Sequence, residues 1–215
     1  MKILLAGGTG LIGTTLIRQA SQINFSIITV GRRATGLVKD EIIDDFSCVR
    51  TLPRAEVAIC SLGTTMGKAG SKEAFRNVDY TAVLNFAIAA KRAGATRFLV
   101  VTAVGANPES SFFYSRIKGE VERELIEVGF KRLDVIRPGL LIGSRTERRL
   151  VECVLQKLSP IIDPLLFGSM RRYSGIGSDQ VAKALLVLCL QKQQGVFYHE
   201  NQTLSDLAEN GSLQK

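Results

Sequence analysis

Short runs of uninterrupted apolar residues alternate along the chain with longer stretches in which apolar positions recur every three or four residues. "KILLAG" (2–7) is the first continuous run, and its closing glycine marks it as a buried strand. "LIGTTLIRQASQ" (11–22) follows, with Leu11, Ile12, Thr15, Leu16 and Gln19 at helical spacing. "FSIITVG" (25–31), a short "DEIIDDF" (40–46), "AEVAICSLG" (55–63), "TRFLVVTAVGA" (96–106) and "RLDVIRPG" (132–139) read as further strands. Between them lie a long helix over 71–94, with Ser71 as its cap and Gly94 as its stop, and a helix over 113–129 that ends at Gly129. Strands that are apolar throughout, separated by amphipathic helices, imply a parallel sheet covered on both faces. Right-handed crossovers then make it an α/β, doubly wound fold.

Residues 144–195 break this rhythm. Two helical patches, 147–158 and 178–192, flank the irregular "SPIIDPLLFGSMRRYSGIGS". The expectation is one domain over 1–215, in which 144–195 contributes a small substrate-side lobe. A last strand, "GVFYHE", and a short helix, "LSDLAE", complete the pattern.

The junction of the first strand and first helix carries the first chemical signal. Gly8-x-Gly10-x-x-Gly13, with Gly7-x-x-Gly10-x-x-Gly13 as a variant, matches the Rossmann dinucleotide fingerprint. Its glycines allow a tight turn, close approach of a pyrophosphate and close helix–sheet packing. The pyrophosphate would rest on amides at a helix N-terminus, where the dipole favours negative charge. Contacts are expected from Gly7, Thr9, Gly10, Leu11, Ile12 and Gly13.

The end of the second strand discriminates between cofactors. An NAD site usually places a carboxylate there, but this chain has Gly31, Arg32 and Arg33. A guanidinium binds a 2′-phosphate that a carboxylate would repel, so NADP(H) is expected over NAD(H). Two solvated loop arginines are the plainer alternative. Asp45 either accepts a hydrogen bond from the adenine amino group or is a helix N-cap or a solvated loop residue.

Composition narrows the picture. A net charge of +8 raises nucleic-acid binding, but the cations sit in small knots such as Arg32–Arg33 and Arg171–Arg172 rather than in one stripe. That disfavours nucleic acid and fits a basic enzyme with a phosphate-rich small ligand. The scattered cysteines (Cys48, Cys60, Cys153, Cys189) lack metal or disulfide spacing, and no signal peptide or membrane span is read. A cytoplasmic location is expected. With one histidine, His199, neither a Ser-His-Asp triad nor a His-rich metal site is available, and His199 itself reads as structural.

"SSFFYSRIKGE" (110–120) places Tyr114 and Lys118 one helical turn apart on one face. Alone, the pair is a weak signal. Together with the glycine loop it resembles the short-chain dehydrogenase/reductase superfamily, and the order of parts agrees over residues 1–143. "CSLGTT" (60–65) resembles the family's cofactor loop after strand four, "RNVDY" (76–80) the Asn-Val segment of extended members, and "VIRPGLLIG" (135–143) the segment beside the nicotinamide. "GTTMGKAG", "YSRIKGEVE" and "IRPGLLIGSR" are similar to the atypical branch related to Tat-interacting oxidoreductase-like proteins.

The resemblance implies hydride transfer between NADP and a carbonyl or alcohol. It makes Tyr114 the proton donor or acceptor and Lys118 the cation that favours its phenolate and binds the nicotinamide ribose. It adds Ser61, Leu62, Gly63, Pro138, Gly139 and Leu141 to the cofactor site, gives Asn77 a place in a proton relay, and assigns Thr102 as the active-site hydroxyl. Thr102 stands where the family has serine, and Ser110 and Ser111 are rivals for that role. Arg171 and Arg172 would hold an anionic small-molecule substrate. Two other functions compete. One is a non-catalytic NADP(H)-binding redox sensor acting through a protein partner. The other is a sugar-nucleotide epimerase or dehydratase, disfavoured because roughly 70 residues after strand six leave little room for a nucleotide-sugar domain. A homodimer or a regulatory partner fits either main reading.

Overall fold

The computed structural model describes residues 1–23, 25–143 and 173–213. Among the described residues, seven strands form the central sheet: β1 (Lys2–Ala6), β2 (Ser26–Gly31), β3 (Asp40–Ile43), β4 (Val57–Cys60), β5 (Arg97–Val101), β6 (Arg132–Arg137) and β9 (Gly195–Glu200). Their order is β3-β2-β1-β4-β5-β6-β9, and every pairing is parallel. This is the expected doubly wound Rossmann-type fold.

The strands read as continuous apolar runs because each feeds two cores. In β1, Leu4 and Ala6 point to one face and Ile3 and Leu5 to the other, all four fully buried. The first face is covered by α4 (Ala82–Arg92) and α5 (Phe113–Val128), which supply Val83, Phe86, Val121 and Leu125. The second is covered by α1 (Leu11–Ala20), α6 (Ser178–Leu188) and α7 (Asn201–Asn210), which supply Leu16, Ile17, Val181, Leu185 and Leu204. Each such side chain contributes about 1.5–3 kcal/mol on burial.

The long helix expected over 71–94 is a continuous helical run from Lys72 to Arg92 with a π turn inside it. Ser71 caps α3 (Lys72–Arg76) by accepting from the Ala74 amide at 3.0 Å, Asn77–Thr81 is wound as π, and α4 continues to Arg92. Gly94, at φ +93°, and Gly129, at φ +75°, end α4 and α5 in the left-handed conformation that favours glycine. A one-turn helix, α2 (Met66–Ala69), precedes α3.

The region read as a substrate-side lobe divides. Residues 144–172, which include the helical patch 147–158 and both Arg171 and Arg172, lie outside the described residues. The other patch, α6, packs on α1 against the central sheet. Two short strands missed by pattern, β7 (Leu140–Ile142) and β8 (Gly175–Gly177), pair in parallel and bring residues 173–177 beside the end of β6. Among the described residues no helix is long and apolar enough to cross a membrane.

Candidate active site

Strand order reverses direction between β1 and β4, so their following loops diverge and leave a crevice at their C-terminal ends. The loop after β1 is shaped for close approach. Gly7 has φ +88°, and a Cβ there would lie 2.6 Å from the Ser61 backbone. A Cβ on Gly13 would lie 2.2 Å from the Gly7 carbonyl oxygen. The Gly10 amide donates to the Gly7 carbonyl at 2.9 Å, and α1 starts at Leu11. Thr9 is exposed, Gly7, Gly10 and Leu11 are half-buried, and Ile12 anchors the helix start in the core. Ser61, just beyond β4, donates from its hydroxyl to the Ala6 carbonyl at 3.1 Å and so ties the two loops together. This cradle has the form a pyrophosphate needs, and side chains at Gly7 or Gly13 would fill it.

Arg32 and Arg33 are both exposed beyond β2 and have no carboxylate partner among the described residues. The loop that carries them is pinned from β3. Glu41 accepts from the Thr35 hydroxyl, from the Thr35 amide at 2.9 Å and from the Gly36 amide at 3.1 Å. The Thr35 hydroxyl, ahead of these amides, holds the Glu41 carboxyl below its usual range. Asp45 is exposed and accepts from the Ser47 amide at 2.9 Å, a local turn that lowers its carboxyl's titration.

The Tyr–Lys pair lies on α5, across from the loop after β4. Tyr114 is partly exposed, and its ring rests on buried Phe75 with centroids 5.6 Å apart. Lys118 is buried, and its Nζ lies 2.7 Å from the Asp79 carboxylate, which is wholly buried. Burial opposes the ammonium, but Asp79, with Tyr114 and Cys60 adding to it, outweighs that cost and raises the Lys118 pKa. Asp79 also accepts from the Thr64 amide at 2.8 Å. A Cβ on Gly63 would stand 3.5 Å from Asp79 Oδ1 and 3.8 Å from Lys118 Nζ. Burial pushes the neighbouring Cys60 thiol up to about 12.

Thr102, Asn77, Ser110 and Ser111 stand in different surroundings. Thr102 is buried rather than presented to a ligand. Its hydroxyl donates to Glu122 at 2.6 Å, and Glu122 in turn holds Arg137. Asn77 is exposed, and the buried polar group on that helical run is Asp79, two residues on. Of the rival hydroxyls, Ser110 accepts from the Phe112 amide at 3.1 Å at the start of α5, and Ser111 is exposed. Pro138 is buried, Gly139 donates its amide to Asn201 at 2.8 Å, and Leu141 lies in β7. Asn201 also donates to the Ser174 carbonyl at 2.7 Å, which fixes the β6 loop to the segment before β8.

Asp79, Glu122, Glu41 and Asn201 were missed. A signal existed for two of them. Asp79 shares the helical stripe of Phe75, Val83 and Phe86, and Glu122 that of Lys118, Val121 and Leu125, so each is a carboxylate on an apolar face. Asn201 gives no such signal, because its partners lie 27 and 62 residues away.

A parallel seven-stranded sheet with a glycine loop at its switch point defines a Rossmann-type protein of NAD(P)-binding fold. The family described as HIM1 matches residues 28–168, and the chain belongs to it. Protein FMP52, mitochondrial, of Meyerozyma guilliermondii is 32% identical over 203 residues, covering 89% of this chain and 86% of that protein. Protein HTATIP2 of Rattus norvegicus is 36% identical over 167 residues, covering 72% of this chain and 69% of that one. Among solved structures, MoeE5 in complex with UDP-glucose and NAD aligns with a TM-score of 0.72 at 13% identity, over 97% of this chain and 81% of that one. Human epimerase family protein SDR39U1 with NADPH aligns with a TM-score of 0.63 at 18% identity, over 93% and 74%. These two likenesses establish the fold alone. The FMP52 relatives are named as mitochondrial, which overturns the cytoplasmic expectation. That expectation had come from an unpatterned N-terminus and scattered cysteines, and neither feature encodes a compartment.

Proposed function

We propose that the protein is an NADP(H)-dependent oxidoreductase acting on a small carbonyl or alcohol. The observation that carries this reading is the placement of Tyr114 and Lys118 on one face of α5, with the Lys118 ammonium beneath Gly63 in the loop after β4. When bound, the nicotinamide would supply or take up the hydride. Gly7, Thr9, Gly10, Leu11, Ile12 and Gly13 would hold the pyrophosphate, and Ser61, Leu62, Gly63, Pro138, Gly139 and Leu141 would line the rest of the cofactor's path. Arg32 and Arg33 would bind the 2′-phosphate, and Asp45 would face the adenine. Tyr114 would pass its phenolic proton to, or take one from, the substrate oxygen. Lys118 offers three donors and Asp79 takes one, which leaves two for ribose hydroxyls. Arg171 and Arg172 would meet an anionic substrate. The compartment that the relatives support is the mitochondrion.

A second reading, a cofactor-binding redox sensor with a protein partner, draws on one observation: Thr102 spends its hydroxyl inside the protein. The epimerase reading draws on folds alone.

Titration with NADP⁺ and NAD⁺, then a carbonyl panel, tests these readings. NADP⁺ should bind more tightly, and Arg32→Ala should weaken NADP⁺ roughly tenfold or more with little effect on NAD⁺. Equal loss would sink the 2′-phosphate argument. Tyr114→Phe should fold normally and reduce turnover by about 10²–10⁴-fold. Nucleotide binding without turnover on any carbonyl favours the sensor.

A further inference from the structure

The Asp79 carboxylate is fully buried in the π turn, two residues from the polar group the sequence pointed to. It makes two contacts with opposite partners. One oxygen meets Lys118 Nζ at 2.7 Å, and the other accepts the Thr64 amide at 2.8 Å. One side chain thus joins α5 to the loop after β4, directly under Gly63. A π turn inserts an extra residue into a helix and re-aims the side chains around it. The turn here spans Asn77–Thr81 and has Asp79 at its centre.

Among the described residues, three titratable groups face Lys118: Asp79 from the π turn, Tyr114 from its own helix and Cys60 from the end of β4. Cys60 is a buried thiol that stays protonated well above neutral pH. Asp79 is therefore the formal charge that can compensate a desolvated ammonium. A lone buried lysine tends to lose its proton, by up to several pH units in fully buried sites.

We propose that Asp79 is a positioning residue of the Tyr114–Lys118 site, holding the Lys118 ammonium charged and in place beneath the loop after β4. The role of Lys118 in cofactor binding rests on the function proposed above; its dependence on Asp79 does not. The pair makes the site insensitive to pH across the neutral range. Without the carboxylate, the site's cation would vanish as pH rises, and with it the donors meant for the ribose.

The test is a lysine Cε/Nζ nuclear magnetic resonance titration of the full chain without nucleotide, with the Lys118 signal assigned by its loss in Lys118→Arg. Wild-type Lys118 should stay charged from pH 6 to 10. In Asp79→Asn it should titrate at least about one pH unit below exposed lysines, which titrate near 10.4. A Lys118 signal in Asp79→Asn that titrates with or above the exposed lysines overturns the proposal. Should Asp79→Asn not fold, Asp79→Glu decides. It keeps the charge but moves the carboxylate, so Lys118 stays charged while its signal shifts, and a signal identical to wild type overturns the positioning role. A companion readout is NADPH affinity against pH. It should be flat from about pH 7.5 to 9 in wild type, above the 2′-phosphate's own titration near 6, and fall by up to roughly tenfold per unit in Asp79→Asn above the lowered lysine value. If wild type binds no NADPH, the proposed function fails while the titration still decides on Asp79.

Discussion

Two buried ion clusters use the same kinds of groups and differ in how completely they are satisfied. At the start of β6, Arg132 grips Asp134 with two hydrogen bonds, of 2.6 and 2.7 Å, and donates a third to the Gln193 carbonyl at 2.9 Å. Its guanidinium also lies 4.2 Å from the centre of the Phe197 ring. His199 Nε2 adds a contact to Asp134 at 2.9 Å. Both carboxylate oxygens are taken, and the fork of the arginine is largely spent. Beneath Gly63, Lys118 has one ionic partner among the described residues and an ammonium with donors to spare. With the arginine's donors engaged but His199 Nδ1 left without a hydrogen-bond partner among the described residues, this first cluster clamps an edge strand, β9, to the sheet. The lysine cluster sits under a glycine of the loop after β4, one of the two loops that flank the crevice. What separates the two clusters is the cation: the arginine's donors are engaged inside the fold, whereas the lysine keeps donors in reserve.

The sharpest break would come at Asp134. Asp134→Ala leaves Arg132 buried without its carboxylate, and arginine has no accessible neutral form. Unfolding in urea should show a loss of about 3–5 kcal/mol. A loss below about 1 kcal/mol would mean the clamp is decorative.

Asp79→Asn should cost less, because Lys118 can release its proton where arginine cannot. The variant's folded state then holds the Lys118 proton more weakly than the unfolded chain does, so its stability rises with pH up to the ordinary lysine range. Wild type has the opposite linkage. The raised Lys118 pKa keeps the pairing contribution whole below 10.5, and it is lost only as pH climbs through the folded value. Urea unfolding at pH 6 and pH 9 checks the sign, and a variant as stable at pH 6 as at pH 9 contradicts it.

Gly63→Ala should be the mildest for the fold. The added methyl meets Asp79 and Lys118 at 3.5 and 3.8 Å, ordinary contact, so stability should stay within about 0.5 kcal/mol of wild type. The methyl would still cover the lysine from the loop side, and NADPH affinity should fall roughly tenfold, about 1.4 kcal/mol. Unchanged affinity would place the cofactor elsewhere.

Much of the fold was legible because strand and helix periods are local. Continuous apolar runs predicted strands buried on both faces, and the terminating glycines at 94 and 129 were read from type and place alone. The small β7–β8 sheet was not legible, since three-residue strands carry no period and their partners lie 35 residues apart. In the site, Tyr114 and Lys118 were readable as a helical pair. The environment of Thr102 was not legible, because its place just past β5 says nothing about which acceptor its hydroxyl will find. That acceptor, Glu122, stands on α5, 20 residues away.

The sequence by itself determined the architecture, the glycine loop at residues 7–13, the absence of a carboxylate after β2 and the pairing of Tyr114 with Lys118 on one face. All of these rest on near-neighbour spacing or on backbone conformations open only to glycine. Only the tertiary structure decided that Asp79 rather than Asn77 faces Lys118, that Thr102 is consumed by Glu122, and that Asn201 locks the β6 loop. Those outcomes depend on which polar groups meet inside a desolvated core. There each buried donor or charge takes whichever partner packing brings within reach, since leaving it unpaired costs on the order of 1–3 kcal/mol or more.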